Sequence, residues 1–166
     1  MKHFIALLIL LLLSVGLLSC NNLLSGPEEQ VINIHYKYDF RDEVNTFNHT
    51  LTKDLYSKGT ITIDYYFSHQ EQGKIIEKAL DINFFNLPDS LIWTEVDLIK
   101  CQLEPDPGIQ YLRIRYNNQD KTVYWYLINS IPGEYKKLKE LTSVIRNIIE
   151  TNYRYKLLPD REGGMI

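Results

Sequence analysis

Apolar residues recur every second position over residues 31–38, where Ile32, Ile34, Tyr36 and Tyr38 alternate with Asn33, His35 and Lys37. That is the pattern of a strand buried on one side. Residues 41–52 are polar and poorly periodic and predict a loop or a short irregular helix. A turn is expected at 55–59, where Gly59 supplies the freedom it needs. Alternation returns over 60–67, with Ile61, Ile63, Tyr65 and Phe67 on one face. This second strand and the first are expected to pair antiparallel.

The period then changes. Ser68 and Glu71 have the spacing of a capping box, so a helix is expected from 69 to about 80 with Ile75, Ile76, Ala79 and Leu80 toward the core. Phe84, Phe85 and Leu87 follow as anchors before Pro88 stops any helix. Residues 91–103, with Trp93, Val96, Leu98 and Ile99, predict another strand that the Pro-rich run 104–108 breaks. Segments 109–116 and 122–128 form the clearest hairpin, around a loop at 117–121. Leu112, Ile114, Tyr116, Val123, Trp125 and Leu127 share one face of it; Tyr111, Arg113, Arg115, Tyr124 and Tyr126 share the other. A last helix over 134–153 carries Leu138, Leu141, Ile145, Ile148 and Ile149 as a broad apolar stripe. Such a stripe needs a sheet to cover it. The fold class is therefore α+β, an antiparallel sheet packed against two helices, in an order resembling two strand-strand-helix halves.

The amino-terminal pattern is of another kind. Lys2 precedes a nearly unbroken apolar run over 4–18, shorter than the roughly 20 residues of a stable membrane span and matching a secretory signal. The run ends in Leu17-Leu18-Ser19-Cys20, which resembles the lipobox of bacterial lipoproteins. The resemblance implies that residues 1–19 are removed as a signal peptide. Cys20 then becomes the first residue and carries thioether-linked diacylglycerol, with a further acyl chain such as palmitate on its amine. Several acyl chains hold a protein at a membrane, where one alone binds marginally. A retained membrane helix, or a disulfide between Cys20 and Cys101, is the competing reading. Residues 20–30 read as a lipid-anchored tether, 31–158 as a single globular domain and 159–166 as a C-terminal tail. Asn21 is not the Asp that resembles an inner-membrane retention signal, so the expected location is the bacterial cell membrane, the outer one in a host with two. Beyond the leader, Gly59-Thr60-Ile61, Phe84-Phe85-Asn86-Leu87-Pro88, Lys121-Thr122-Val123 and the stripe over 138–149 are similar to pieces of uncharacterised bacterial lipoprotein domains. That similarity implies a fold and no chemistry.

Composition narrows the function further. The 166 residues, 45% of them hydrophobic, suit one globular domain with an appendage rather than a multidomain enzyme or a disordered chain. Eighteen basic against 21 acidic side chains give a net charge of −3, which offers nucleic acid no general attraction. Two cysteines cannot make a disulfide scaffold, and Cys101 reads as strand packing. His35, His49 and His69 lack metal-ligand spacing. No Gly-x-Ser-x-Gly elbow or phosphate-binding glycine loop occurs. Glu95, Asp97, Glu104 and Asp106 do not have calcium-loop spacing and read as a solvated acidic loop. No cofactor is expected. The best candidate site is the hairpin face bearing Arg113, Arg115, Tyr124 and Tyr126, because arginine forks and tyrosine rings suit a protein, peptide or anionic glycan surface. The aromatic and basic run 153–156 has an ordinary explanation at a helix end. The expectation is a noncatalytic, lipid-anchored envelope-binding domain. The alternative is an envelope hydrolase whose polar residues converge from separate segments.

Overall fold

A computed structural model describes residues 31–91, 109–125 and 133–163. Cys20 and its leader, Cys101, the acids from Glu95 to Asp106, the strand expected from residue 92 onward, Tyr126 and Leu127 lie outside the described residues.

Among the described residues, seven strands form one sheet: β1 (Asn33–Tyr38), β2 (Asp42–Asn45), β3 (Thr50–Asp54), β4 (Thr60–Asp64), β5 (Ser90–Leu91), β6 (Gln110–Tyr116) and β7 (Gln119–Trp125). Their spatial order is β4-β3-β2-β1-β6-β7-β5, antiparallel throughout except for the β5–β7 pair. The described helices are α1 (His69–Asp81), α2 (Gly133–Thr151) and the short α3 (Tyr153–Lys156), with a 3-10 turn at Phe84–Asn86. An α+β fold, with a largely antiparallel sheet packed against helices, is the architecture.

One core explains the layering. Alternate residues of the central strands, Ile34 and Tyr36 of β1, Val44 of β2, Leu51 of β3, Leu112 and Ile114 of β6 and Val123 of β7, are buried in the same cluster as Ile75 and Ala79 of α1 and the α2 stripe. All five predicted stripe residues of α2 are buried. Burying each such side chain is worth ~1.5–3 kcal/mol, so the stripe fixes which side of α2 turns toward the sheet. The capping box forms as expected, with the Glu71 N–H donating to Ser68 Oγ and the Ser68 N–H to Glu71 Oε2. Arg146 of α2 pins the helix to β1, donating to the Tyr36 hydroxyl at 3.1 Å and pairing with Asp39 at 2.8 Å.

The structure corrects five expectations. Residues 41–52 are not a loop or helix but most of the β2–β3 hairpin. Their periodicity is hidden because the buried face of the pair carries Asp42 and Lys53 beside Val44 and Leu51. β1 and β4 are not neighbours, since that hairpin inserts between them. Four strands, not two, therefore precede α1, and the order of two similar halves does not hold. Leu80 points to solvent at 54% exposure, because Ile75 and Ala79 take the inward positions of the last turns of α1. The β6–β7 hairpin turns more tightly than expected, with Gln119, Asp120 and Lys121 in β7 rather than in the loop. Asn117 takes the left-handed conformation that so short a turn requires, at φ 52°.

Candidate functional site on the open face of the sheet

Because the helices share one side of the sheet, the odd-numbered residues of β1 and β6 present a second face that no described helix covers. Arg113 and Arg115 stand there on β6, two residues apart and so on the same side. The tight turn brings Asp120 directly across from Arg115. Asp120 accepts from Arg113 Nε and Nη2, both at 2.8 Å, and from Arg115 Nε at 2.9 Å. Hydrogen bonding from Arg113, reinforced by Arg115, lowers the Asp120 carboxyl to about 2, and the same contact raises Arg113.

Phe47 completes the plate. After β2 the chain turns on Asn45, whose Oδ1 accepts from the Phe47 and Asn48 N–H groups at 3.1 and 3.3 Å. The turn lays the Phe47 ring 4.6 Å from the Arg113 guanidinium and 4.9 Å from that of Arg115. Contacts of this kind are worth ~0.5–1 kcal/mol each where exposed. Two guanidinium groups, one carboxylate and one ring thus hold each other in place before any partner arrives.

Beside the plate lies a polar array drawn from three adjacent strands. His35 Nε2 on β1 is 2.9 Å from Glu43 Oε1 on β2 and 2.6 Å from the Tyr111 hydroxyl on β6. The His35 and Tyr111 rings meet edge-on at 4.8 Å. Burial, with the Glu43 charge nearby, pushes the Tyr111 hydroxyl up to about 12, so it stays protonated at neutral pH. Tyr124 tilts against Tyr111 at 5.7 Å and leaves 44% of its surface exposed. Arg113, Arg115 and Tyr124 are therefore brought together as the alternation predicted, while Tyr126 lies outside the described residues.

Sequence reasoning missed Phe47, Asp120, His35 and Glu43 as members of this face. The Asn117-Asn118 pair was the available signal for Asp120: a two-residue turn there puts residue 120 opposite 115. Nothing in the local pattern marks Phe47 or Glu43, whose positions depend on the hidden β2–β3 hairpin.

A second polar cluster closes another part of the fold. Asp42, fully buried, accepts from the Asp54 N–H at 2.7 Å and pairs with Arg161. Asp54 pairs with Arg41 through two bonds, at 2.8 and 3.2 Å. Glu162 accepts from Ser57, so residues 161 and 162, expected in a tail, are held against the β3–β4 turn. Burial pushes the Asp42 carboxyl above the usual range. Both carboxylates are engaged by arginine, an arrangement that closes a structure rather than presenting an acid and a base to a substrate. A groove of about 660 Å³ between α1 and α2 is lined by Lys74, Glu77, Lys78, Asp81 and Val144. Its Lys78 already bridges Asp81 and Glu140. Among the described residues, no three His, Cys, Asp or Glu side chains are grouped to hold a metal. No described helix is long and apolar enough to cross a membrane. No family model matches the chain, and no curated protein is similar to it.

Proposed function

We propose that this chain is a noncatalytic, lipid-anchored domain of the bacterial cell envelope that binds an envelope protein, peptide or anionic glycan through the open face of its sheet. The observation that carries the proposal is the assembled group of Arg113, Asp120, Arg115 and Phe47 beside the exposed Tyr124. Preassembly lowers the side-chain entropy lost on binding, which costs about 0.5–1.5 kcal/mol for each long side chain immobilised. Asp120 holds the arginine forks in a fixed orientation, and an anionic group on the partner competes with it for the outer N–H donors. Tyr111 and Tyr124 add ring surface with hydroxyl ends, a composition frequent at interface centres.

The resemblance of Leu17-Leu18-Ser19-Cys20 to a lipobox, which implies acylation of Cys20, supports the envelope location in this reading. The anchor raises the local concentration of the face near its partner, since tethering makes the second encounter effectively intramolecular. Two measurements test the two parts. Intact-mass analysis of protein extracted from native membranes should give a chain beginning at Cys20 with a lipid increment; a chain retaining residues 1–19 contradicts the anchor. Replacing Arg113 and Arg115 together by Ala should abolish retention on the purified envelope partner, and unchanged affinity removes the open face as the site.

A further inference from the structure

The ladder between β3 and β4 determines which backbone groups of β4 are not used by β3. Tyr65 N–H donates to the His49 carbonyl at 2.9 Å and Leu55 N–H to the Gly59 carbonyl at 2.8 Å. With Leu51 opposite Ile63 and Lys53 opposite Ile61, the odd-numbered residues of β4 bond to β3. Antiparallel ladders alternate, so Thr60, Thr62 and Asp64 direct their N–H and C=O groups away from the sheet. The Asp64 carbonyl accepts from Arg154 Nη1 at 3.2 Å, consistent with that direction.

This edge carries few of the usual defences. Exposed edges are commonly blunted by Lys, Pro or a bulge. β4 reads Thr-Ile-Thr-Ile-Asp, with its one charge at the end. The three most exposed large hydrophobic side chains among the described residues belong to the segment just after it and to the short helix bonded to its end. Tyr66, 60% exposed, lies just beyond the strand. Tyr153 and Leu157, at 74% and 65%, are four residues apart at α3, which Arg154 ties to the Asp64 end.

We infer that β4 is a self-association edge, pairing antiparallel with β4 of a second copy of this chain about a two-fold axis at Thr62. The strand is self-complementary in that register. Thr62 meets Thr62, and each Thr60 meets Asp64 of the other copy, so both hydrogen-bonding rows are used and no like charges face each other. Ile61 meets Ile63 on the helix side, where both are half-buried in one copy. Arg154 gives up the Asp64 carbonyl to the incoming Thr60 N–H. Such an interface is isologous and closes at two copies. The inference is independent of the open-face reading, since the edge and Arg113 lie at different strands of the sheet.

Full-length protein in native membranes tests it. In a Cys101→Ser background, Thr62→Cys places two Cα atoms about 5.5 Å apart across the axis, inside the ~4.4–6.8 Å that a disulfide spans. Mild oxidation should give a linked dimer, whereas Leu80→Cys on α1, with the same Cys20, should not. Thr62→Lys sets two like charges opposite each other and leaves the backbone ladder to β3 intact, removing only the exposed side-chain bond between Thr62 Oγ1 and Thr52 Oγ1. In detergent the unmodified chain should sediment as a dimer and Thr62→Lys as a monomer with an unchanged circular dichroism spectrum. A monomeric unmodified chain, a Thr62→Cys product no stronger than that of Leu80→Cys, a linkage only to another protein, or a dimer that survives Thr62→Lys overturns the inference.

Discussion

Asp42 offers the most demanding test of the fold, because one buried carboxylate serves two partners, the buried Asp54 N–H and the partly exposed Arg161. Asp42→Ala leaves the Asp54 N–H without its acceptor and Arg161 without its counter-charge. An orphaned buried donor costs about 1–3 kcal/mol, and breaking a buried ion pair about 3–5 kcal/mol. Arg161 keeps roughly a quarter of its side chain in solvent and can swing outward, so the low end of both ranges applies. The expected loss is about 4 kcal/mol, a large part of the ~5–15 kcal/mol that holds a typical domain folded. Asp42→Asn retains the acceptor and should lose about half as much. Urea unfolding followed by circular dichroism measures both. In an Arg161→Met background, the cost of Asp42→Ala should fall by about 2 kcal/mol, the coupling expected for contacting residues.

The pH dependence has a definite sign. The folded-state pKa of Asp42 is raised by burial, so its ionisation opposes folding. As pH falls through that raised value toward the unfolded one, the unmodified chain recovers this loss and Asp42→Ala cannot. The difference between them should therefore widen on mild acidification. A loss within 1 kcal/mol at neutral pH, or absence of coupling to Arg161, would refute the buried pair as described.

Other outcomes follow from the same structure. The Asp120 carboxyl is lowered, so its contribution is present above its usual range and lost as pH falls toward about 2; Asp120→Asn should flatten that limb of the acid-unfolding curve. About a third of the side chain is exposed, so screening limits the effect to ~1 kcal/mol or less. Ser68→Ala removes the side-chain cap of α1 and should cost about 1 kcal/mol in urea unfolding. Ile145→Ala, at a fully buried position of α2, should cost about 2–5 kcal/mol, whereas Leu80→Ala, largely in solvent, should cost well under 1 kcal/mol.

The parts legible from sequence were those whose buried faces are apolar. β1, the β6–β7 pair, α1 and α2 all bury residues that alternate or recur with the expected period, and Arg113, Arg115, Tyr111 and Tyr124 followed from the same alternation. The β2–β3 hairpin was illegible because its inward positions include Asp42 and Lys53. Asp42 is satisfied by Arg161, 119 residues away, and Lys53 lies against the Tyr155 ring. No local window contains those partners. The same long reach hid half of the candidate site: Phe47 arrives from the turn after β2, and Glu43 meets His35 only once β1 and β2 pair. Asp120 was lost to a different cause, a turn two residues long that the polar run 117–121 made look longer.

The claim that the open sheet face makes the envelope contact is most directly measured by site-specific photocrosslinking in living cells. A photoreactive residue at Thr122, opposite Arg113 on that face, should yield one discrete envelope adduct that disappears when Arg113 and Arg115 are both Ala. The same probe at Lys136, exposed on α2, should yield none. Equal capture at the two positions, or an adduct at Thr122 that persists without both arginines, would contradict the account.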